Sequence, residues 1–105
     1  MRRLVYLVSA RRDLNAILRY VPDESGSAGQ ALRFVGSLRA QCSKLAVSPL
    51  ELGRARSDLQ PDLRGFSSGN YIIFFRYHLE VLEVVKVVER HREMTALFGD
   101  AAAKH

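Results

Sequence analysis

The stretch GNYIIFFRYHLEVLEVVKVV, residues 69–88, decides the fold. It contains two runs of β-branched and aromatic residues, 71–77 and 81–88, separated by a spacer short enough for a hairpin. A strand covered on one side alternates apolar with polar residues, and these runs do not. In the first, one parity holds Ile72, Phe74 and Arg76, and the other holds Tyr71, Ile73, Phe75 and Tyr77. In the second, Leu82, Val84 and Val88 face one way and Val81, Val85 and Val87 the other, with Glu80, Glu83, Lys86 and Glu89 at every third position. Both faces of the hairpin therefore need cover. Its connection, Tyr77-His78-Leu79-Glu80, lacks the Gly or Asn of the strongest hairpin turns.

Working outward, the run 63–67 reads as a third strand, and the segment 48–61 reads as a loop from Pro49, Gly53, Ser57, Asp58 and Pro61. That loop carries Arg54 and Arg56. At the N-terminus, residues 3–8 form a strand-like run and Ser9 is placed as N-cap of a helix whose apolar face is Ala10, Leu14, Ile17, Leu18 and Val21. Pro22 and the Ser25-Gly26-Ser27 cluster are expected to stop it. Ala28, Ala31, Phe34, Val35, Leu38, Cys42 and Leu45 then lie within an arc of about 100°, which predicts a long amphipathic helix ending before Pro49.

The order β, α, α, β, β, β predicts an α+β domain: an N-terminal strand, an antiparallel helical hairpin and a three-stranded antiparallel sheet. Two helices can cover one face of such a sheet. The second face, apolar and rimmed by charge, is expected to be given largely to a protein partner.

A chain of 105 residues, 48% hydrophobic and 26% charged, has the profile of one soluble domain, expected over residues 1–99 with a disordered tail at 100–105. The lone Cys42 excludes a disulfide framework and multi-cysteine metal sites; it falls within the apolar stripe and reads as a small buried hydrophobe. With no signal peptide and no spanning segment recognised, the expected location is the cytoplasm. The formal charge of +5 is carried mostly by arginine, with lysine only at Lys44, Lys86 and Lys104. Arginine suits bidentate pairing with carboxylate or phosphate, so an acidic protein or nucleic acid fits as partner. A solvated basic surface is the alternative.

His78, His91 and His105 are scattered, and Gly65 and Gly69 open no helix, so neither a metal nor a phosphate-binding loop is expected, and no cofactor. Arg64, Arg76, Arg90, His91 and Arg92 could meet in the sheet and hold a phosphodiester, with His91 as acid or base. The reading the residues favour is that they pair across strands with Glu83, Glu89 and Glu93, or touch an acidic partner.

Several segments in order resemble the ParE-type toxins of the RelE/ParE superfamily of bacterial toxin–antitoxin systems. Leu7-Val8-Ser9-Ala10-Arg11-Arg12-Asp13-Leu14 is similar to the opening "S-x-x-A-x-x-D-L". The 48–59 segment resembles "P-x-x-G-R-x-R-x-x-L", and Leu63-Arg64-Gly65-Phe66 resembles "L-R-x-F". Gly69 to Arg76 is similar to "G-x-Y-x-I-F-Y-R", and residues 84–93 to the closing "V-x-V-x-x-V-x-H-x-x-R-D". The chain departs from the superfamily's messenger-RNA endonucleases, because Tyr71 stands where those of RelE type carry a catalytic Arg, and the C-terminal Tyr position falls near Ala96. Arg90 aligns with a second basic catalytic position. It departs from ParE at Phe75-Arg76 for "Y-R" and Glu89 for "H".

The resemblance implies a non-enzymatic toxin that inhibits DNA gyrase and is neutralised by a ParD-type antitoxin, a ribbon-helix-helix protein with an acidic disordered tail. Operator DNA would be met only through the antitoxin. On this reading the partner-binding residues are Arg56, Arg64, Tyr71, Ile73, Phe75, Arg76, Arg90 and Arg92. The alternatives are a ribosome-dependent messenger-RNA endonuclease using Arg64, Arg90, His91 and Arg92, and an inactive co-repressor that binds only its antitoxin.

Overall fold

The computed structural model describes residues 2–25 and 28–91. The elements are β1 (Arg3–Tyr6), α1 (Val8–Ser25), α2 (Ala28–Val47), β2 (Arg54–Ala55), β3 (Arg64–Ser68), β4 (Tyr71–His78) and β5 (Val81–Glu89). The domain is α+β as expected, but the sheet has five strands, in the order β1-β5-β4-β3-β2. β3, β4 and β5 are antiparallel neighbours, whereas β1 lies parallel to β5, with Tyr6 beside Val84. A parallel partner requires a crossover, and α1 with α2 and the following strands supplies one. The segment expected to be loop throughout contributes β2, which pairs Arg54 with Gly65 and Ala55 with Arg64.

Helix α1 begins earlier than the N-cap assignment of Ser9 allowed. The Leu7 carbonyl accepts from the Arg11 amide at 3.0 Å, so the helix starts at Val8 and Ser9 lies in its first turn. The Ser9 hydroxyl is instead an acceptor for Lys86 Nζ at 2.8 Å, a contact 77 residues away in sequence. At the other end α1 runs through Pro22, which does not stop it, and ends at Ser25, the first residue of the Ser25-Gly26-Ser27 cluster expected to do so. Helix α2 ends at Val47, two residues before Pro49, because the residue preceding a proline is disfavoured in helical geometry.

The core on the helical side joins Ala10, Leu14 and Ile17 of α1 and Val35, Leu38, Cys42 and Leu45 of α2 to Ile73, Phe75, Leu82, Val84 and Val87. These members of the two predicted stripes thus face the sheet, while the side chains of Val21 and Ala28 lie outside the described residues. The parity of β5 does not run through unbroken. Phe74 is opposite Lys86 and Phe75 is opposite Val84, so Val85 is an extra residue, a β-bulge. Beyond it the faces exchange: Val87 joins Leu82 and Val84 on the helical side, and Val88 joins Val85 on the other. A continuous odd–even count assigns Val87 and Val88 to the wrong faces for this reason.

The second face is not left largely bare, as expected, for a partner. Phe74, Val85 and Val88 are covered by Leu59 and Leu63, from the chain between β2 and β3, with Leu7 and Ile72 packed alongside. Phe74 and Leu63 have no exposed surface. A Cβ on Gly65 would meet Ile72 Cγ2 and Phe74 Cε1 at 3.4 Å and Arg56 Cγ at 3.6 Å, ordinary van der Waals contact on this same face. The β4–β5 turn is closed by Leu79 at φ 55°, a conformation in which glycine is preferred, and the side chain is 85% exposed.

Candidate functional site

The arginines singled out in the sequence come to different parts of the sheet. Arg64 is opposite Phe75 and therefore on the helical face, while Arg76 is opposite Glu83 on the other face. Arg64 Nε donates to the Leu52 carbonyl at 2.7 Å and its terminal nitrogen to the Gly53 carbonyl at 3.1 Å. Its guanidinium thereby anchors the chain leading into β2. Arg76 pairs with Glu83 at 3.6 Å, with both side chains about one-third exposed. This is the cross-strand pairing that the sequence offered as the alternative to a phosphodiester site.

Arg90 lies at the opposite end of the hairpin, where its amide donates to the Asn70 carbonyl at 2.9 Å. Phe75, opposite Arg64, is five residue steps from Asn70, about 17 Å of strand. Arg64 is therefore not brought together with Arg90 and His91, both of which are exposed. Arg92 and the stretch to Phe98 lie outside the described residues, as does the tail 100–105.

Arg56 makes a two-pronged contact with Asp58, Nε to Oδ1 at 3.0 Å and the terminal nitrogen to Oδ2 at 2.9 Å. The hydrogen bonds raise the affinity of Arg56 for its proton and lower that of Asp58. The pair is mostly solvated, with Asp58 the more exposed partner, and fixes the turn after β2. Tyr71 is half-buried, its ring 5.3 Å from that of Phe34 on α2. Ile73 and Phe75, read as partner contacts, have no exposed surface. They face the helices, because odd positions of β4 point into the helical core, and so they are residues of that core instead.

Several interactions had no signal in the sequence. Arg2 donates to the Ser48 carbonyl at 2.8 Å and lies 4.3 Å from the centre of the Tyr77 ring, a cation–π contact. The Tyr77 hydroxyl accepts from the Leu52 amide at 3.0 Å and points to the Leu45 carbonyl at 3.4 Å, holding the end of α2 against the approach to β2. Arg39 lies 4.9 Å over the Tyr6 ring. Burial pushes the Tyr6 phenol well above its ordinary value, reinforced by neighbouring Cys42 and opposed by Arg39. Burial also pushes the Cys42 thiol up, which keeps it protonated and unreactive at neutral pH.

Among the described residues no cluster of His, Cys, Asp or Glu has the makings of a metal site. Nor is any described helix long and apolar enough to cross a membrane. What the molecule presents is a folded sheet with a tightly fixed β2–β3 corner, paired arginines on one face and exposed basic residues at the hairpin end.

Known proteins agree with this architecture. A solved structure described as the chromosomal ParDE TA system from P. aeruginosa is similar in fold, with a TM-score of 0.74 and 22% identity over 85% of this chain and 96% of that one. No curated protein sequence matches. The family described as ParE toxin of type II toxin-antitoxin system, parDE, matches residues 4–94, from β1 to beyond the end of β5. The chain belongs to the ParE toxin family of type II toxin–antitoxin systems.

Proposed function

We propose that this toxin acts by inhibiting DNA gyrase in the cytoplasm, without an enzymatic activity of its own, and that a ParD-type antitoxin neutralises it by binding tightly. The observation that carries the reading is the family match over residues 4–94, joined to the position of Arg64. That guanidinium is committed to two backbone carbonyls and stands at the other end of β4 from Arg90, an arrangement suited to holding a loop. Tyr71, at the position where the endonucleases of the superfamily carry Arg, is packed on Phe34.

Of the residues assigned to partner binding, Arg76 and Arg90 retain guanidinium surface for an acidic antitoxin segment, and Arg92 follows Arg90 in sequence. Charge-assisted pairing there would supply register and on-rate. Operator DNA would be recognised through the antitoxin. The test is a plasmid supercoiling reaction with purified gyrase, run beside a translation reaction read by primer extension. Inhibition of supercoiling, reversed by the antitoxin, with intact messenger RNA supports the reading. Uninhibited supercoiling with codon-linked cleavage supports the endonuclease alternative. No effect in either reaction supports a co-repressor that binds only its antitoxin.

A further inference from the structure

The charge of this chain is not spread evenly. Residues 1–47 carry eight Lys or Arg against three Asp or Glu, whereas residues 48–91 carry six of each. The entire formal +5 therefore belongs to β1 and the two helices. Within that half, Asp13 is already paired with Lys86 of β5 at 3.6 Å. Helix α2 contains Arg33, Arg39 and Lys44 and no acidic residue.

Helical geometry gathers these cations on the outside of the layer. In α1 the buried positions Ala10, Leu14 and Ile17 face the sheet, which turns Arg12 and Arg19 directly outward, seven residues or about 10 Å apart. In α2 the exposed positions 33, 37, 40 and 44 form one strip opposite the buried stripe, with Arg33 and Lys44 at its ends about 16 Å apart. Among the described residues none of Arg12, Arg19, Arg33 or Lys44 has a carboxylate within pairing distance.

We propose that this outer face of α1 and α2 binds duplex DNA through its phosphate backbone. Charge complementarity carries the inference, and the rest of the surface decides between a polyanionic duplex and an acidic peptide. A peptide docking on helices requires a row of apolar anchors. Here Ser37 and Ala40 stand between the two cations, Gly36 beside them meets nothing within 4 Å, and exposed Leu32 and Val47 are separated by about 22 Å along the helix. Small residues between spaced cations let a phosphate backbone approach closely. Such contacts position a protein on DNA without reading sequence, so they are compatible with operator recognition by an antitoxin. The inference does not depend on gyrase being the target.

The test is fluorescence anisotropy of a labelled mixed-sequence 30-base-pair duplex titrated with the full purified chain at several salt concentrations. Four phosphate contacts predict a log–log salt slope of about −3.6, and hence a loss of affinity of about 150-fold between 50 and 200 mM salt. The double variant Arg12→Gln with Arg19→Gln is expected to weaken binding at least about tenfold and to flatten the slope by about 2, as is Arg33→Gln with Lys44→Gln. Arg54→Gln, in exposed β2, should leave both unchanged. An equal loss for Arg54→Gln, no measurable binding at 50 mM salt, or tighter binding of poly-glutamate than of the duplex would each overturn the proposal. These side chains are exposed, and an unchanged thermal midpoint for each variant shows that the fold is retained.

Discussion

Asp13 Oδ2 accepts a hydrogen bond from the Val87 amide at 2.9 Å, joining α1 to the last strand across 74 residues. β1 pairs with β5 only as far as Tyr6 and Val84, and the Leu7 amide donates to the Val84 carbonyl at 2.9 Å. Past that point, among the described residues, the edge of β5 has no strand beside it. The carboxylate of Asp13, turned inward from α1, satisfies the next donor and is itself paired with Lys86 at 3.6 Å.

Replacing Asp13 with Ala leaves a part-buried amide without its acceptor and leaves Lys86 with the Ser9 hydroxyl but no carboxylate partner. The expected loss is about 2–3 kcal/mol of stability, since hydrogen bonds to charged groups contribute about 1.5–3 kcal/mol. Asp13→Asn keeps an acceptor oxygen and should lose about half as much. Urea denaturation of the two variants beside the parent chain checks both the size and the order.

Gly53 and Gly69 both have positive φ, 82° and 60°, but differ in their surroundings. A Cβ on Gly53 would lie 2.7 Å from Phe75 Cζ and 2.9 Å from the Gly65 carbonyl oxygen, whereas one on Gly69 meets nothing within 4 Å. Gly53→Ala is expected to cost about 2–4 kcal/mol, combining left-handed strain with overpacking, and Gly69→Ala about 1 kcal/mol from strain alone. Equal destabilisation in denaturant melts would contradict the close approach of the loop to Phe75.

Much of this architecture was legible in the sequence, and the failures have specific causes. The stripe through Phe34, Val35, Leu38, Cys42 and Leu45 predicts α2 because its residues recur at helical spacing and pack into one core against the sheet. β4 and β5 follow from β-branched and aromatic runs that need no distant information. The bulge at Val85 was hidden because Val84, Val85, Val87 and Val88 are one residue type, and valine carries no mark of which face it takes. The cover of the second face was missed because Leu59 and Leu63 are isolated leucines among turn residues, and isolated residues show no period. Ile73 and Phe75 were misassigned to a partner for the related reason that an apolar strand residue is the same in sequence whether a helix or another protein covers it. The parallel pairing of β1 depends on contacts some 80 residues apart, beyond any local pattern.

Arg64 separates a structural role from a catalytic one. Arg64→Ala removes the donors to the Leu52 and Gly53 carbonyls and should lower stability by about 1–3 kcal/mol, with the β2–β3 corner loosened. Hydrogen exchange should show faster exchange at Arg56, whose amide donates to the Leu63 carbonyl, and little change at β5. A variant that keeps full stability and exchange protection, yet loses toxicity completely, would place Arg64 in a reacting site instead.

Tyr6 and Cys42 make the fold sensitive to alkali. Both groups hold their protons more strongly when folded than their ordinary values, 10.0 for Tyr6 and 9.0 for Cys42, chiefly because burial disfavours the charged form. The unfolded chain therefore releases these protons first. Stability from this source is fully present below about pH 8 and falls as pH rises above the ordinary values. Thermal midpoints measured between pH 7 and 11 should decline at the alkaline end, and Tyr6→Phe should flatten that decline. An unaltered decline in Tyr6→Phe and Cys42→Ala would locate the sensitivity elsewhere.

Gyrase poisoning by the folded chain, as proposed, is read out by the linear plasmid that denaturant releases from a gyrase reaction titrated with the purified chain. Poisoning requires linear DNA to rise with dose and to disappear when equimolar ParD-type antitoxin is added first. Absence of linear DNA at about tenfold molar excess over active gyrase, with a known gyrase poison giving the product in parallel, would contradict it.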